Sequence, residues 1–284
     1  MRIETATEPG SPQRPDEDFA AVALPASGQG GTLVLLDGVT PHRDGTGCVH
    51  GVPWYVARLG GALLELSASR RDLTLADCLA ESIARTAAAH AGTCELSHTH
   101  TPQSTVVLAR WDEEAVEHLV LSDSVLLIEG ESGDVRAVLD DRLDRMPEQV
   151  RAMRAAVRAM ERGSAEREAA GAAYGRAVEA LRNAVGVEGA FFTAAADPAV
   201  ARLAVTGTTP RRAVRAVAAL TDGAGRLVEV FHEGGWADAF ALLRKEGPQG
   251  LITRVRAAES ADPTCTAYPR GKRHDDATAI LAVI

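Results

Sequence analysis

Residues 32–38 read Thr-Leu-Val-Leu-Leu-Asp-Gly. The run is short and apolar, and it stops on an aspartate and a glycine. Such a run, bounded by turn residues, reads as a strand. Taken alone, the Asp-Gly pair is an ordinary turn, because both residues tolerate unusual backbone angles. The pattern recurs, however. Residues 118–121 lead into Ser122-Asp123-Ser124, and residues 214–220 lead into Thr221-Asp222-Gly223. It is mirrored where Asp275-Asp276 precedes the apolar run 277–284.

A strand end is rigid, so several such ends can aim carboxylates at one point. Clustered carboxylates repel one another and stay ionised together only around a cation. Oxygen-only ligands suit Mg²⁺ or Mn²⁺. Two such ions about 3.5–4 Å apart can bind a bridging water, lower its pKa and direct it at a phosphorus atom.

Outward from these runs, further strands are expected at residues 19–24, 105–110 and 202–205. Helices fill the spaces between. Residues 52–66 carry apolar residues near helical spacing. Residues 75–90 follow a capping Thr74 and repeat Leu79, Ile83, Ala87 and His90 on one face. Residues 147–183 open with Pro147 and carry the stripe Val150, Met153, Val157 and Met160. Gly163-Ser164 breaks that segment, and residues 169–181 resume it. Residues 236–245 form a shorter helix closed by Gly247-Pro248, with another helix over 248–259. The order is not a regular βαβ alternation. It predicts an α+β layered sandwich with mainly antiparallel sheets, in one domain over 1–284. Residues 1–16 are polar and proline-rich and read as a mobile start.

Composition narrows the function. The 284 residues carry a net charge of −9, which gives no bulk attraction to nucleic acid or to an anionic membrane. Neither is expected as a partner. Lys245 and Lys272 are the only lysines; with the abundant alanine, this points to a GC-rich coding sequence. Cys48, Cys78, Cys94 and Cys265 show no disulfide spacing, and no signal core or membrane-length run occurs. A cytoplasmic location with reduced thiols is expected. There is no Gly-x-Ser-x-Gly elbow and no phosphate loop.

The ordered set of motifs resembles the type 2C metal-dependent serine/threonine protein phosphatases, in the form of a divergent bacterial, actinobacterial-like member. Glu17-Asp18-Phe19 and LLDG (35–38) are similar to that family's first two motifs. TPQSTVVLAR (101–110) is similar to its Ser/Thr-rich strand, LVLSDSVLLI (119–128) to its glycine-aspartate-serine motif, and VLDDR (138–142) to its threonine-x-aspartate-histidine stretch. LTDG (220–223) and HDDATAILAV (274–283) resemble the closing aspartate-glycine and aspartate-asparagine motifs.

The resemblance implies a four-layer α-β-β-α sandwich of two mainly antiparallel sheets flanked by helices, with a flap near 140–190. It implies that Asp37 bridges two Mn²⁺ or Mg²⁺ ions, with the Gly38 carbonyl as a further ligand. Asp222 and Asp275 would complete one ion, and Glu17 and Asp18 would serve the other, in part through water. Asp123 matches a position that helps hold a third, weaker ion in bacterial members. The implied activity is hydrolysis of phosphoserine or phosphothreonine in a phosphoprotein substrate, with metal-bound hydroxide as nucleophile.

Some positions depart from the family pattern. Gln13 stands where an arginine usually grips the phosphate, and Arg14 is displaced by one; Arg14 is the candidate catalytic arginine. Val39 stands where some members have a histidine acid, with His42 as the nearby substitute. LSDS lacks a glycine, VLDDR lacks a histidine, and Asp276 replaces asparagine. These departures motivate a second reading, a weakly active or inactive regulatory module that binds a phosphorylated partner. A small-molecule phosphatase is a third.

Two lesser groups remain. Cys48, His50, His90, Cys94, His98 and His100 form a loose set of thiols and imidazoles. Cys94-x₃-His98-x-His100 offers zinc-ligand types but fits no zinc-finger spacing. The plain reading is a buried thiol, a helix-end histidine and a polar loop. Arg270–His274 is a short basic patch beside Asp275, placed to help attract a phosphate.

Overall fold

Strand β3 (Gly31–Asp37), the run quoted first, lies inside a five-stranded sheet. The order is β2 (Asp18–Ala23), β3, β4 (Val106–Trp111), β5 (Ala115–Leu121), β8 (Val205–Pro210), and every neighbouring pair is antiparallel. The second sheet runs β1 (Arg2–Glu8), β10 (Ala277–Val283), β9 (Val214–Leu220), β6 (Val125–Gly130), β7 (Val135–Val138), again antiparallel throughout. These relations come from a computed structural model that describes residues 1–41 and 45–284.

The two sheets pack face to face, and period-two alternation assigns each strand residue to a layer. Leu33, Leu35, Val107 and Val120 meet Leu126, Val217, Ala219 and Ile280 between the sheets. The opposite face of the first sheet presents Val34, Leu36, Leu108 and Leu119 to α1 (Val52–Ser69) and α2 (Leu75–His90). The opposite face of the second presents Leu127, Ala218, Leu220 and Leu281 to α5 (Asp222–Glu229) and α6 (Trp236–Ala261). The strands at the centre are therefore buried on both faces, which is why they read as continuous apolar runs. The result is the four-layer α-β-β-α sandwich. Helices α3 (Glu148–Ala159) and α4 (Ala165–Glu179) pair outside it, where Met146, Val150, Leu181 and Phe191 form a small cluster of their own.

Most expected elements are present. The Thr74 hydroxyl accepts a hydrogen bond from the Asp77 N–H at 3.1 Å and so caps α2 where expected. Helix α6 breaks at Gly247, whose φ of 74° lies in the left-handed region that precedes Pro248, so two helical pieces follow one another.

Three expectations are corrected. Residues 2–8 are not part of a mobile start but form β1, which pairs along its length with β10. Residues 198–203 form a 3₁₀ turn in place of the strand expected at 202–205, and β8 begins only at Val205. The Asp197 carboxylate caps that turn by accepting from the Ala199 N–H at 2.9 Å. Residues 222–229, which carried no expected element, form α5. No helix among the described residues is long and apolar enough to cross a membrane.

Candidate metal centre

The strand ends that carry aspartates all open at one end of the sandwich. Asp37 ends β3, and Asp18 opens β2 directly opposite it in register. Asp123 follows β5, Asp222 starts α5 just after β9, and Asp275 stands two residues before β10. Asp37, Gly38, Asp123, Asp222 and Asp275 line one cleft of about 280 Å³.

Close packing of glycines brings the carriers together. A side chain at Gly38 would run into the Glu17 carbonyl and Val52, and one at Gly223 would run into the Asp276 carbonyl. The second contact locks the start of α5 against the segment before β10, and so sets Asp222 beside Asp275.

Hydrogen bonds then fix the segments that carry the carboxylates and, at Asp18, the carboxylate itself. The Asp37 N–H donates to the Thr105 hydroxyl at 3.1 Å, and that hydroxyl shares a 2.6 Å hydrogen bond with Ser124. The Thr221 hydroxyl donates to Asp18 Oδ2 at 3.1 Å. Ser122, where the resemblance leads one to expect a glycine, adopts φ 70°, a left-handed conformation. Asp140 supports it by accepting from the Ser122 N–H at 2.9 Å, while Arg142 clamps Asp140 with two 2.6 Å contacts. VLDDR thus holds the Asp123 turn from behind.

The electrostatics are those of a cation site. Burial and then the neighbouring Asp222, Asp18, Asp123 and Asp275 hold the Asp37 carboxyl well above the usual carboxylate range. Asp18 is likewise raised well above it by burial, with Asp16, Asp276 and Asp222 adding to the rise. Burial also raises Asp123, Asp222, Asp275 and Glu17. Asp18 Oδ1 is buried with no hydrogen-bond partner among the described residues. An orphaned carboxylate oxygen in an oxygen-only cluster fits a divalent cation such as Mg²⁺ or Mn²⁺.

Asp276 has a different task. Its two oxygens accept from the Gly10 N–H at 2.7 Å and the Glu17 N–H at 2.9 Å, which ties down the segment leading to β2. Asp275, not Asp276, faces the cleft. The Glu17 carboxylate accepts from the Thr40 hydroxyl.

Arg14 and Gln13 are exposed, and neither lines the cleft, although Arg14 lies near enough to lower the Glu17 carboxyl somewhat. The cleft is instead lined by Lys272, Arg154 of α3 and Arg182, while Arg226 holds Asp275 from outside the lining. Lys272 Nζ reaches Asp275 Oδ1 at 2.7 Å and the Thr40 hydroxyl at 3.0 Å. Buried Arg226 spans Asp275 at 2.8 Å and Glu259 at 2.6 Å. Arg182, after α4, lines the cleft with its guanidinium 5.5 Å from the Phe191 ring, and its buried Nε has no partner among the described residues. Of these four, only Lys272 had a signal in the sequence, through the basic patch. His42 lies outside the described residues.

Comparison with known proteins agrees with this architecture. No protein-family model and no curated protein sequence matches the chain. Solved structures do. The serine/threonine phosphatase Stp1 from Staphylococcus aureus superposes with a TM-score of 0.58 at 15% identity, over 99% of this chain and 94% of that one. Serine-threonine phosphatase 2C from Toxoplasma gondii gives 0.57 at 13%, over 98% and 93%. The catalytic domain of the serine/threonine phosphatase PstP, solved in complex with two manganese ions, gives 0.54 at 14%, over 99% and 97%. Across its whole length the chain therefore has the fold of the type 2C serine/threonine phosphatases.

Proposed function

We propose that the protein is a metal-dependent phosphoric monoester hydrolase that removes phosphate from phosphoserine or phosphothreonine in proteins. The observation that carries this reading is the convergence of Asp18, Asp37, Asp123, Asp222 and Asp275 at one end of the sandwich. Burial, together with repulsion among them, leaves them in need of more positive charge than Lys272, Arg154, Arg182 and Arg226 provide. The fold shared with a phosphatase crystallised with two manganese ions supports the same reading.

Asp37 would serve both ions, with the Gly38 carbonyl as a further ligand; Asp222 and Asp275 would complete one, Asp18 and Glu17 the other, and Asp123 would serve a third. Bound divalent ions supply Lewis acidity, which activates water and offsets charge on phosphoryl oxygens. This chain's own groups do the rest. Thr105 and Ser124 fix Asp37, and Thr221 fixes Asp18. Lys272 and Arg182 present positive charge at the cleft, where they attract the phosphate dianion and orient it. No nucleophilic side chain takes part, so no covalent phospho-enzyme forms.

One observation favours a weakly active phosphopartner-binding module instead. Asp275 is already paired with both Lys272 and Arg226, which competes with an ion for that carboxylate. Hydrolysis of p-nitrophenyl phosphate and of a phosphothreonine peptide, in Mn²⁺, Mg²⁺ or EDTA, separates the two. Turnover of both substrates that is abolished by EDTA supports the hydrolase. A folded, Mn²⁺-loaded protein that binds the peptide without cleaving it supports the module.

A further inference from the structure

A second cluster of metal-ligand side chains lies away from the carboxylates. Cys48 and His50 sit in the loop that enters α1. His90 is the last residue of α2, and Cys94 follows in the turn after it. Their donor atoms all lie within 4.8 Å of one another. Cys94 Sγ is 3.3 Å from Cys48 Sγ and 3.3 Å from His50 Nδ1. Cys48 Sγ is 3.7 Å from His50 Nδ1 and 3.6 Å from His90 Nδ1.

These separations match a specific polyhedron. Zinc bonds of about 2.3 Å to sulfur and about 2.0–2.1 Å to imidazole nitrogen give a tetrahedron with donor-to-donor edges of roughly 3.3–3.8 Å. The two sulfurs stand too far apart for a disulfide, which needs about 2.05 Å. Both imidazoles turn Nδ1 towards the sulfurs. His90 is buried, and Trp54 covers the cluster by stacking on His50 at 4.1 Å and tilting against His90 at 5.2 Å. The surrounding backbone is already clamped, for the Glu95 N–H donates to the Gly47 carbonyl at 2.7 Å and the Cys94 N–H to the His90 carbonyl at 3.0 Å.

We propose that Cys48, His50, His90 and Cys94 form a closed, structural zinc site that ties the loop entering α1 to the C-terminal end of α2. Two thiolates and two imidazoles select zinc over the hard cations that suit the carboxylate cleft. Four protein donors leave no open position for a substrate, so the role is structural. Binding releases the thiol protons to solvent. The Cys94, His98 and His100 triplet weighed from the sequence is not the group that assembles. His100 turns instead to Glu179 at 2.8 Å.

Cobalt substitution tests the site on the full-length, reduced, metal-free protein. Co²⁺ should produce a near-ultraviolet thiolate charge-transfer band and the intense visible absorption of tetrahedral cobalt, saturating at one equivalent and abolished by added Zn²⁺. Cys94→Ser and His50→Ala should each remove or displace these bands. Asp37→Asn should keep them, because an oxygen-only site gives no thiolate band. Zinc removal should lower the melting temperature by roughly 5 °C. A folded, reduced wild type without a thiolate band would overturn the proposal. So would equal zinc content in wild type and folded Cys94→Ser, or a native Cys48–Cys94 disulfide found by thiol titration.

Discussion

Adjacent aspartates can serve opposite ends, as Asp275 and Asp276 show. Asp275 faces the cleft, and Asp276 holds the Gly10 and Glu17 amides. Asp275→Asn should weaken Mn²⁺ binding by at least ~10-fold in calorimetric titration. Asp276→Asn should leave turnover within a few-fold and lower stability by about 1 kcal/mol, since one acceptor oxygen is replaced by an amide nitrogen. Arg182 is the residue expected to replace the missing arginine at position 13. Arg182→Ala should raise KM for p-nitrophenyl phosphate by ~10-fold or more, while Arg14→Ala should change it little. Equal effects from the two would remove Arg182 from that role. His118 tests burial alone. Burial, with Arg136 nearby, pushes its imidazole down to about 4. The folded state therefore refuses a proton that the unfolded chain accepts below about 6.5. Its contribution is intact above pH 6.5 and disappears as pH falls towards 4, by about 3 kcal/mol. From denaturant melts at both pH values, the stability difference between wild type and His118→Leu should change by that amount; the comparison cancels the other titrating groups.

Among the elements, most strands buried on both faces were legible, although β6 was not expected; of the edge strands, β2 was expected, β8 was misplaced, and β1 and β7 were missed. β3, β9 and β10 are continuous apolar runs because helices cover one face and the other sheet covers the second. β1 reads Arg-Ile-Glu-Thr-Ala-Thr-Glu along an edge, and β8 reads Val-Thr-Gly-Thr-Thr-Pro beside β5 alone, so neither carries an apolar run. α5 was hidden because its first residues, Asp222-Gly223, read as the end of β9 rather than as a helix start. That junction yields a sharp contrast. Gly223→Ala should cost at least ~2 kcal/mol, since the new methyl meets the Asp276 carbonyl. Gly225→Ala, two residues on in the same helix, meets the Trp236 ring at 3.4 Å and Glu229 Oε2 at 3.9 Å, both ordinary contacts, and should be neutral or stabilise by about 0.5–1 kcal/mol. Urea melts of the two variants check the pair; similar losses would mean the α5 junction is not packed as described.

On the scale of the whole molecule, the site is what two antiparallel sheets make when their aspartate-bearing strand ends share one side. The acidic part was legible because each aspartate follows or precedes a strand run. The basic part was not, because Arg154 and Arg182 reach the cleft only through the packing of α3 and α4. The thiol and imidazole cluster was scattered for the same reason, since Cys48 and Cys94 meet only after two helices fold back on each other. The most direct test of the account is a Mn²⁺ titration of metal-free wild type and Asp37→Asn, followed by hydrolysis of p-nitrophenyl phosphate. The account predicts saturable Mn²⁺-dependent turnover in the wild type and a loss of ~100-fold or more in the variant, with its fold intact. Equal turnover in the two proteins, or none from folded wild type with any divalent cation, would contradict it.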